Sequence, residues 1–206
     1  MTELAALPLT DLLREFSSPT PTPGGGSAAA LAGALGASLA AMVAGLAKTK
    51  TGSTGERASL DAVLEPLLNG RDHLASLVDR DRESYDEVVA AYRMPKGTDD
   101  EKQTRAAAVA GALHGATEVP LDVMRACHAV ARETRAVAAA GNPSAASDVG
   151  VALDLLEAAL RGAARNVRVN LQGVKDPGYA TGIEAETARL EADMAQIIAE
   201  ARQALG

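Results

Sequence analysis

Apolar residues recur along most of the chain at the three- and four-residue spacing that is typical of amphipathic helices. No segment shows the two-residue alternation of a strand, and no internal repeat is visible. The pattern therefore predicts an all-α protein, a single-domain bundle of long, kinked helices. The predicted helices cover 9–17, 27–48, 57–93, a stretch from Thr98 to the Gly141-Asn-Pro segment, 147–172, and a last helix that begins near Thr181.

Local signals predict where these helices begin and end. Two segments have the spacing of a capping box and are expected to open helices, TDDE at 98–101 and TGIE at 181–184. Ser144 or Ser147 would cap the helix over 147–172, and TKTGSTGE at 49–56 is predicted to be a mobile linker. Two prolines predict a kink or division near the start of one long helix and a kink midway in the next: Pro66 and Pro120.

The helix over 27–48 has no charged residue between positions 28 and 47 and is long enough to cross a bilayer. It consists mostly of Ala and Gly and no aromatic belt flanks it, so a membrane span is disfavoured. We expect a helix buried on all sides, at the centre of the bundle or at a subunit interface. Small residues that permit close helix contact recur along one of its sides: Ala29, Gly33, Ala37, Ala41 and Gly45.

Composition narrows the class of protein. The 206 residues fit one domain, and the net charge of −7 argues against nucleic acid as the main partner. The single cysteine, Cys127, excludes an internal disulfide. His73, His114 and His128 lack the close spacing of a metal site, so no metal is expected. Since no targeting signal is visible, we expect a soluble, cytoplasmic protein.

A glycine run precedes the uncharged helix. Prolines within 19–23 hold the chain extended, and Gly24, Gly25 and Gly26 let another group approach the backbone closely. Ser27 is expected to be the N-cap, and the free N–H groups after it would suit an anion or a polar ligand. The alternative is a simple turn before a helix.

A carboxylate falls on the apolar face of the helix over 57–93. Asp81 lies in the stripe that Val78 and Tyr85 also occupy, whereas Asp79 is expected at the solvated edge. A carboxylate that points inward is costly unless it is hydrogen-bonded, and burial would raise its pKa. Such positions are enriched at active sites, and the alternative is an interhelical salt bridge.

Four further positions carry polar side chains of interest. Asn166 and Asn170 lie four residues apart on an inward face, where a heterocycle with N–H and C=O edges could bind them. Asp148 lies in a first helical turn, where the helix dipole alone favours an acid. Glu118 lies where a nearby proline frees a backbone carbonyl, or else pairs at the surface with His114.

Several segments occur in a specific order over nearly the whole chain: PTPGGGSAAALAGALGASLAAMVAGL, AYRMPKGTDDEKQTR, ATEVPLDVMRAC, GNPSAASDVGVALDLLEAALRGAARNVRVNL and then KD. Together they resemble the formiminotetrahydrofolate cyclodeaminase / methenyltetrahydrofolate cyclohydrolase family. Two features depart from the family pattern. Ser144 stands where the family often has a second Asn, and AKTKTG replaces a longer basic run.

The resemblance implies a homodimer that acts on folate-bound one-carbon units without a metal or a further cofactor. The cyclohydrolase converts 5,10-methenyltetrahydrofolate to 10-formyltetrahydrofolate, and the cyclodeaminase forms the methenyl compound from 5-formiminotetrahydrofolate. This sequence has no formiminotransferase domain, so it is more similar to the cyclohydrolase, which is our first expectation. The cyclodeaminase reaction is the alternative, and a non-enzymatic folate-binding or interaction module is a third.

On this resemblance the catalytic candidates are Asp81 and Asp148, with Asp81 beside the methenyl carbon. The uncharged helix is expected near the contact of a C2 homodimer. The substrate-binding candidates are Gly24, Gly25, Gly26, Ser27, Glu118, Asn142, Asn166 and Asn170 around the pterin, and Lys48, Lys50, Lys96 and Lys175 at the glutamate tail.

Overall fold

The structure, a computed structural model, describes residues 3–205. It is all-α, as the sequence predicts, and no strand occurs in this part of the chain. Short 3-10 turns lie at Leu4–Ala6 and Pro143–Ala145. The helices are α1 (Leu9–Phe16), α2 (Gly25–Ala44), α3 (Thr54–Arg93), α4 (Asp99–Ala140), α5 (Ala146–Leu171) and α6 (Pro177–Leu205).

The uncharged helix α2 lies at the centre of the bundle. It packs mainly against α3 and α5, while α4 packs against α3, α5 and α6. Its length and a mean hydropathy of 1.7 would also suit a membrane span, but 61% of that apolar window is buried within the chain, as in the core helix of a globular bundle. Since aromatic residues make up only 2% of the chain, aliphatic side chains, chiefly Ala, Leu and Val, fill this core.

The glycines of α2 are points of close approach to the chain's own helices. A Cβ on Gly33 would lie 2.8 Å from Cys127 Sγ of α4, and one on Gly36 would lie 2.9 Å from the backbone oxygen of Ala152 in α5. These distances are shorter than normal van der Waals contact, so neither site has room for a methyl group. The small residues of α2 were predicted to lie either at the centre of the bundle or at a subunit interface, and the structure confirms the centre of the bundle for these two glycines.

Two helices begin at capping boxes. At the start of α4, Thr98 Oγ1 accepts a hydrogen bond from the Glu101 N–H, and the Glu101 side chain accepts one from the Thr98 N–H, as predicted. The predicted linker over 49–56 is instead a hydrogen-bonded turn that leads directly into α3, which begins at Thr54. Glu56 forms a capping box with the N-cap residue Ser53 and also accepts hydrogen bonds from the residues before it. The hydroxyl of Thr49 donates to the Glu56 carboxylate at 2.7 Å, and this bond, with others from the same turn, lowers the pKa of Glu56 to about 2.

Other predicted caps are wrong. α2 begins at Gly25 with Gly24 as its N-cap, so Ser27 lies inside the first turn. α5 has Ala145 at its N-cap position, and neither Ser144 nor Ser147 caps it. α6 begins four residues before Thr181. Its first N–H groups are bound by the carboxylate of Asp176, which the capping-box pattern does not include.

Both internal prolines lie within helices that continue past them. α3 runs unbroken through Pro66 and α4 through Pro120, so Pro66 does not divide α3.

Replacement of Gly36 by Ala should destabilise the bundle, because a methyl group would overlap the Ala152 carbonyl and force α2 away from α5. We expect Gly36→Ala to lower the free energy of unfolding by about 1–3 kcal/mol in denaturant titrations. Gly111→Ala is the matched control, since nothing lies within 4 Å of its Cβ position in α4. Alanine should stabilise that helix by up to about 1 kcal/mol. Equal stability of Gly36→Ala and the wild type would contradict the packing described here.

Candidate functional site

A cleft opens where the first turn of α2 meets the middle of α3, with α4 and the C-terminal half of α5 forming its other walls. It encloses a cavity of about 270 Å³. Polar and apolar side chains both contribute to the walls, as in many small-molecule sites. The lining residues are Pro21, Thr22, Gly24, Gly25, Gly26, Asp81, Ser84, Tyr85, Val88, Leu113, Ala116, Asn166 and Asn170.

The central contact of the cleft joins Asp81 to the first turn of α2. The backbone N–H of Ser27 donates to Asp81 Oδ2 at 2.7 Å, and the Ser27 hydroxyl donates to the same oxygen at 2.8 Å. Ser27 is fully buried. The carboxylate thus occupies the helix N-terminus, where free N–H groups and the helix dipole favour negative charge. The predicted binding site for an anion or a polar ligand at this helix N-terminus is therefore occupied by a side chain of the protein.

Burial raises the pKa of Asp81, and the two hydrogen bonds from Ser27 offset part of this rise. The Oδ1 atom accepts no hydrogen bond from any residue in the described range. A carboxylate with one bound oxygen, one available oxygen and a raised pKa is well suited to accept a proton from a ligand.

Gly26 provides the space for this carboxyl group. A Cβ on Gly26 would lie 2.6 Å from Asp81 Cγ, which is an overlap. Gly25 is different, because its Cβ position is 3.7 Å from Asn166 Nδ2, an ordinary contact. The glycine run thus includes one position where the site requires glycine and a neighbour where it does not.

The two asparagines of α5 lie in the cleft, as predicted. Asn166 Nδ2 donates to the backbone oxygen of Gly162 at 3.0 Å, and Asn170 Nδ2 donates to that of Ala116 at 2.6 Å. These bonds fix both amides. Since each bond uses the amide nitrogen, the two Oδ1 atoms are the groups that can accept hydrogen bonds from a ligand.

Sequence reasoning missed several wall residues. Ser84 and Tyr85, one turn after Asp81, line the cleft. Ser84 is buried, and its hydroxyl donates to the Asp81 backbone oxygen at 2.8 Å. Tyr85 was placed in the stripe of Asp81 from the sequence but was not assigned to the site. The spacing of three residues from Asp81 could have identified Ser84 as well.

The structure separates Asp148 and Asn142 from this cleft within one chain. Asp148 lies in the first turn of α5, 18 residues before Asn166, which corresponds to roughly 27 Å along the helix. Asn142 caps the adjacent 3-10 turn through the Ser144 N–H. The prediction that they surround the same pterin as Asn166 is therefore wrong for a single chain. Asp148 and Asn142 lie at the N-terminal end of α5 and Asn166 lies near its C-terminal end, which the sequence-based prediction did not take into account.

Lys48 and Lys50 lie at the same distant end, just after α2. Lys50 Nζ donates to the backbone oxygen of Ala204 in α6. Within one chain these two lysines cannot reach a ligand in the cleft. Lys96 and Lys175 lie at the end of the bundle where α3 ends and α6 begins.

Glu118 does not line the cleft and does not pair with His114. The Tyr179 hydroxyl donates to Glu118 Oε1 at 3.0 Å, and Arg125 donates to Oε2 at 3.2 Å. His114 instead stacks on the Tyr179 ring, with centroids 4.1 Å apart. The predicted pairing with His114 is wrong, because the Glu118 carboxylate is part of a network that joins α4 to α6. A contact between Glu118 and the substrate stays a prediction.

Asp79, expected at the solvated edge, is mostly buried. It accepts hydrogen bonds from the N–H groups of Leu4 and Ala5 and forms an ion pair with Arg82. It therefore fastens the N-terminal segment to α3. In residues 3–205, no group of three or more His, Cys, Asp or Glu side chains could hold a metal ion.

The fold and the cleft define a class of protein: an all-α bundle with a small-molecule site built on a half-buried carboxylate at a helix N-terminus. Comparison with known proteins gives the family. The family model for formiminotransferase-cyclodeaminase matches residues 8–189. The chain belongs to this family.

Individual relatives agree. A methenyltetrahydrofolate cyclohydrolase of Methylorubrum extorquens is 44% identical over 165 residues, which cover 80% of this chain and 79% of the relative. A formimidoyltransferase-cyclodeaminase of Gallus gallus is 32% identical over 91% of this chain but only 35% of its own length. The crystal structure of a formiminotetrahydrofolate cyclodeaminase from Thermotoga maritima has a TM-score of 0.87 at 28% identity, with 98% of each chain covered.

The contact between Gly26 and Asp81 can be tested by a double-mutant cycle. Gly26→Ala should lower the free energy of unfolding by about 1–3 kcal/mol, because the new methyl group displaces the carboxyl group from Ser27. In an Asp81→Ala background the same substitution should cost at least about 1 kcal/mol less. Gly25→Ala is the matched control and should cost the same in both backgrounds. Additive effects of Gly26→Ala and Asp81→Ala would contradict the contact.

Proposed function

We propose that this protein is a methenyltetrahydrofolate cyclohydrolase, which hydrolyses 5,10-methenyltetrahydrofolate to 10-formyltetrahydrofolate. The observation that carries the proposal is the half-buried Asp81 carboxylate beside a cavity that also presents two fixed amide groups. The similarity to the Methylorubrum extorquens cyclohydrolase, which extends over 79% of that protein, supports the same reaction.

The chemistry of the substrate fits this site. The methenyl carbon lies between N5 and N10 in a positively charged amidinium, which a carboxylate stabilises. Water attacks this carbon and transfers a proton to Asp81 as the carbon–oxygen bond forms. The tetrahedral intermediate then collapses: the carbon–N5 bond breaks, N5 takes up a proton, and the hydroxyl group loses its proton to become the formyl oxygen. The net reaction consumes one water and releases one proton, so it needs no further cofactor.

Residues around Asp81 orient the substrate. Asn166 and Asn170 accept hydrogen bonds from pterin N–H groups through their Oδ1 atoms, since their amide nitrogens are occupied. The turn at 24–26 lets the ring system lie close to the backbone. Ser27 holds the carboxylate so that Oδ1 faces the reacting carbon.

Cyclodeamination is the second candidate, and the Thermotoga maritima structure favours it, since that protein carries the name and matches 98% of this chain. In this reaction N10 attacks the formimino carbon of 5-formiminotetrahydrofolate, and ammonia leaves after protonation. Both reactions pass through a tetrahedral carbon bonded to N5 and N10, so Asp81 could serve either one.

We also propose that the active form is a C2 homodimer. Large apolar side chains are exposed in the middle and C-terminal half of α2 and at the start of α5: Leu35 (52%), Met42 (43%) and Val151 (49%). A second copy would cover this face with the same face. A two-fold axis across the middle of α2 runs the two α2 helices antiparallel. It brings the end of each subunit that carries Asn142 and Asp148 towards the cleft of the other.

Purified protein given each substrate separately should distinguish the two reactions. We expect the methenyltetrahydrofolate absorbance to disappear faster than the spontaneous rate. Appearance of this absorbance from 5-formiminotetrahydrofolate, with ammonia release and little hydrolysis, would instead establish the cyclodeaminase.

Asp81→Asn keeps the shape of the side chain, so the protein should fold while kcat falls at least about 100-fold. Near-wild-type hydrolysis by folded Asp81→Asn would remove Asp81 from the mechanism.

The pH dependence supplies a control for this variant. Because burial raises the pKa of Asp81 above its ordinary value of 3.8, wild-type kcat should rise with pH through the raised pKa, and the residual rate of Asp81→Asn should lack this limb. The pH dependence of folding stability should have the opposite sign, so this contribution to the stability should fall as pH rises. The folded protein binds the Asp81 proton more tightly than the unfolded chain, so the stability from the neutral acid is lost as pH rises through the raised pKa. At pH 7 Asp81→Asn should be at least as stable as the wild type.

Light scattering tests the dimer. Leu35→Glu places a charge in both halves of a symmetric apolar contact, so the dimer dissociation constant should rise at least about 100-fold. Ala195→Glu adds the same charge to an exposed position of α6, which packs on α4 and α5, and it should leave the dimer intact. A fully active wild-type monomer at micromolar concentration would contradict the proposed arrangement.

A further inference from the structure

A second, larger cavity lies beyond the cleft at the end of the bundle where α3, α4 and α5 meet the start of α6. Its volume is about 550 Å³. Apolar side chains form most of its wall, with two cationic side chains at the rim. The lining residues that matter here are Tyr92, Arg105, Val109, Leu113, His114 and Lys175.

The two cavities are neighbours and share one wall residue. Leu113 of α4 lines both of them. Along α3 the wall passes from Asp81 through Tyr85 and Val88 to Tyr92, at three- and four-residue steps that keep these side chains on one face. The eleven residues from Asp81 to Tyr92 correspond to roughly 16 Å of groove. A ligand whose reacting group lies at Asp81 can therefore extend into the second cavity.

The second cavity has aromatic and apolar walls. Tyr92 is 49% exposed, and Val109 and Leu113 of α4 line the same space. His114 is held in place because its ring stacks on Tyr179 at 4.1 Å. These surfaces suit a flat aromatic ring.

Two cationic side chains, Arg105 and Lys175, line this cavity. Arg105 lies over the Tyr92 ring at 5.5 Å, and its Nε and Nη2 atoms donate to the Tyr92 backbone oxygen, which fixes its guanidinium. Neither Arg105 nor Lys175 forms an ion pair with any residue in the range 3–205. Asp176 also borders the cavity, but its Oδ1 atom caps α6.

Unlike Arg105 and Lys175, two other arginines in this part of the bundle, Arg125 and Arg168, form ion pairs. Arg125 is paired with Glu118, Asp122 and Glu186, and Arg168 is bound to Glu184 and Glu191. In an acidic protein with such paired arginines, two unpaired cations at the rim of an apolar cavity are suited to bind a ligand carboxylate.

We propose that this second cavity binds the p-aminobenzoyl-glutamate arm of the folate substrate, with the benzoyl ring against Tyr92 and Leu113 and the glutamate carboxylates at Arg105 and Lys175. This inference rests on the proposed function, since it assumes that the pterin and the one-carbon unit lie at Asp81. Of the four lysines predicted at the glutamate tail, this proposal keeps only Lys175, and it adds Arg105. Lys96 does not line the cavity.

A substrate without the glutamate gives the sharpest test. We would measure kcat and KM for 5,10-methenyltetrahydrofolate and for 5,10-methenyltetrahydropteroate, which ends at the benzoate. Lys175→Ala and Arg105→Gln should each raise KM for the folate about fivefold or more and leave kcat within about twofold, because a charged contact remote from the reaction is lost. The same variants should have the wild-type KM for the pteroate. Arg132→Gln is the matched control, since it removes an exposed charge from α4 roughly 40 Å from Arg105.

Equal increases in KM for both substrates would show a general structural defect and would overturn the proposal, as would unchanged KM for the folate in both variants. Calorimetric titration with 5-formyltetrahydrofolate separates the two hypotheses. If the wild type binds this compound but hydrolyses no substrate, the proposed function fails. In that case the tail site is supported if Lys175→Ala and Arg105→Gln each weaken binding of this compound about fivefold or more, and it is overturned if they do not. If the wild type neither hydrolyses a substrate nor binds 5-formyltetrahydrofolate, both hypotheses are overturned.

Discussion

The hydrogen bonds from Ser27 to Asp81 are the interaction on which the rest of the site depends. They join the first turn of α2 to the middle of α3, so the relative position of these helices also sets the position of the carboxylate. The same contact explains the glycine at position 26, since the carboxyl group occupies the space that a side chain would need. The helix terminus stabilises the charge, and burial opposes it. The balance leaves an acid whose pKa is raised but which still has hydrogen-bond partners.

Much of the fold could be predicted from local patterns. Apolar periodicity gave the helices, and the TDDE box gave the start of α4, because both signals act within a few residues. The interior positions of Asp81, Asn166 and Asn170 followed from the helix faces they occupy. These residues meet in one cleft because α2 lies between α3 and α5, and that arrangement depends on close packing at Gly33 and Gly36.

The errors have a common physical origin in contacts between distant parts of the chain. Ser27 has a residue type typical of an N-cap, yet its hydroxyl binds a carboxylate on another helix, and the helix begins earlier. Glu118 could not be assigned from its neighbours because its partner Tyr179 lies on α6. Asp148 and Asn166 are on the same helix, but a helix of 26 residues separates its two ends by more than the width of a ligand site.

The alanine-rich interior of α2 has a consequence for the precision of the site. Ala30, Ala37, Ala40 and Ala44 are fully buried, and an alanine side chain has no rotamers to lose on folding. These alanine positions are therefore ordered without loss of side-chain conformational entropy, whereas long side chains would lose some at each position. The same property removes adjustability, because a methyl group cannot rotate to accommodate a shifted neighbour. The position of the Asp81 carboxylate is thus set by a helix whose buried alanines cannot adjust to a shifted neighbour, through the two hydrogen bonds from Ser27.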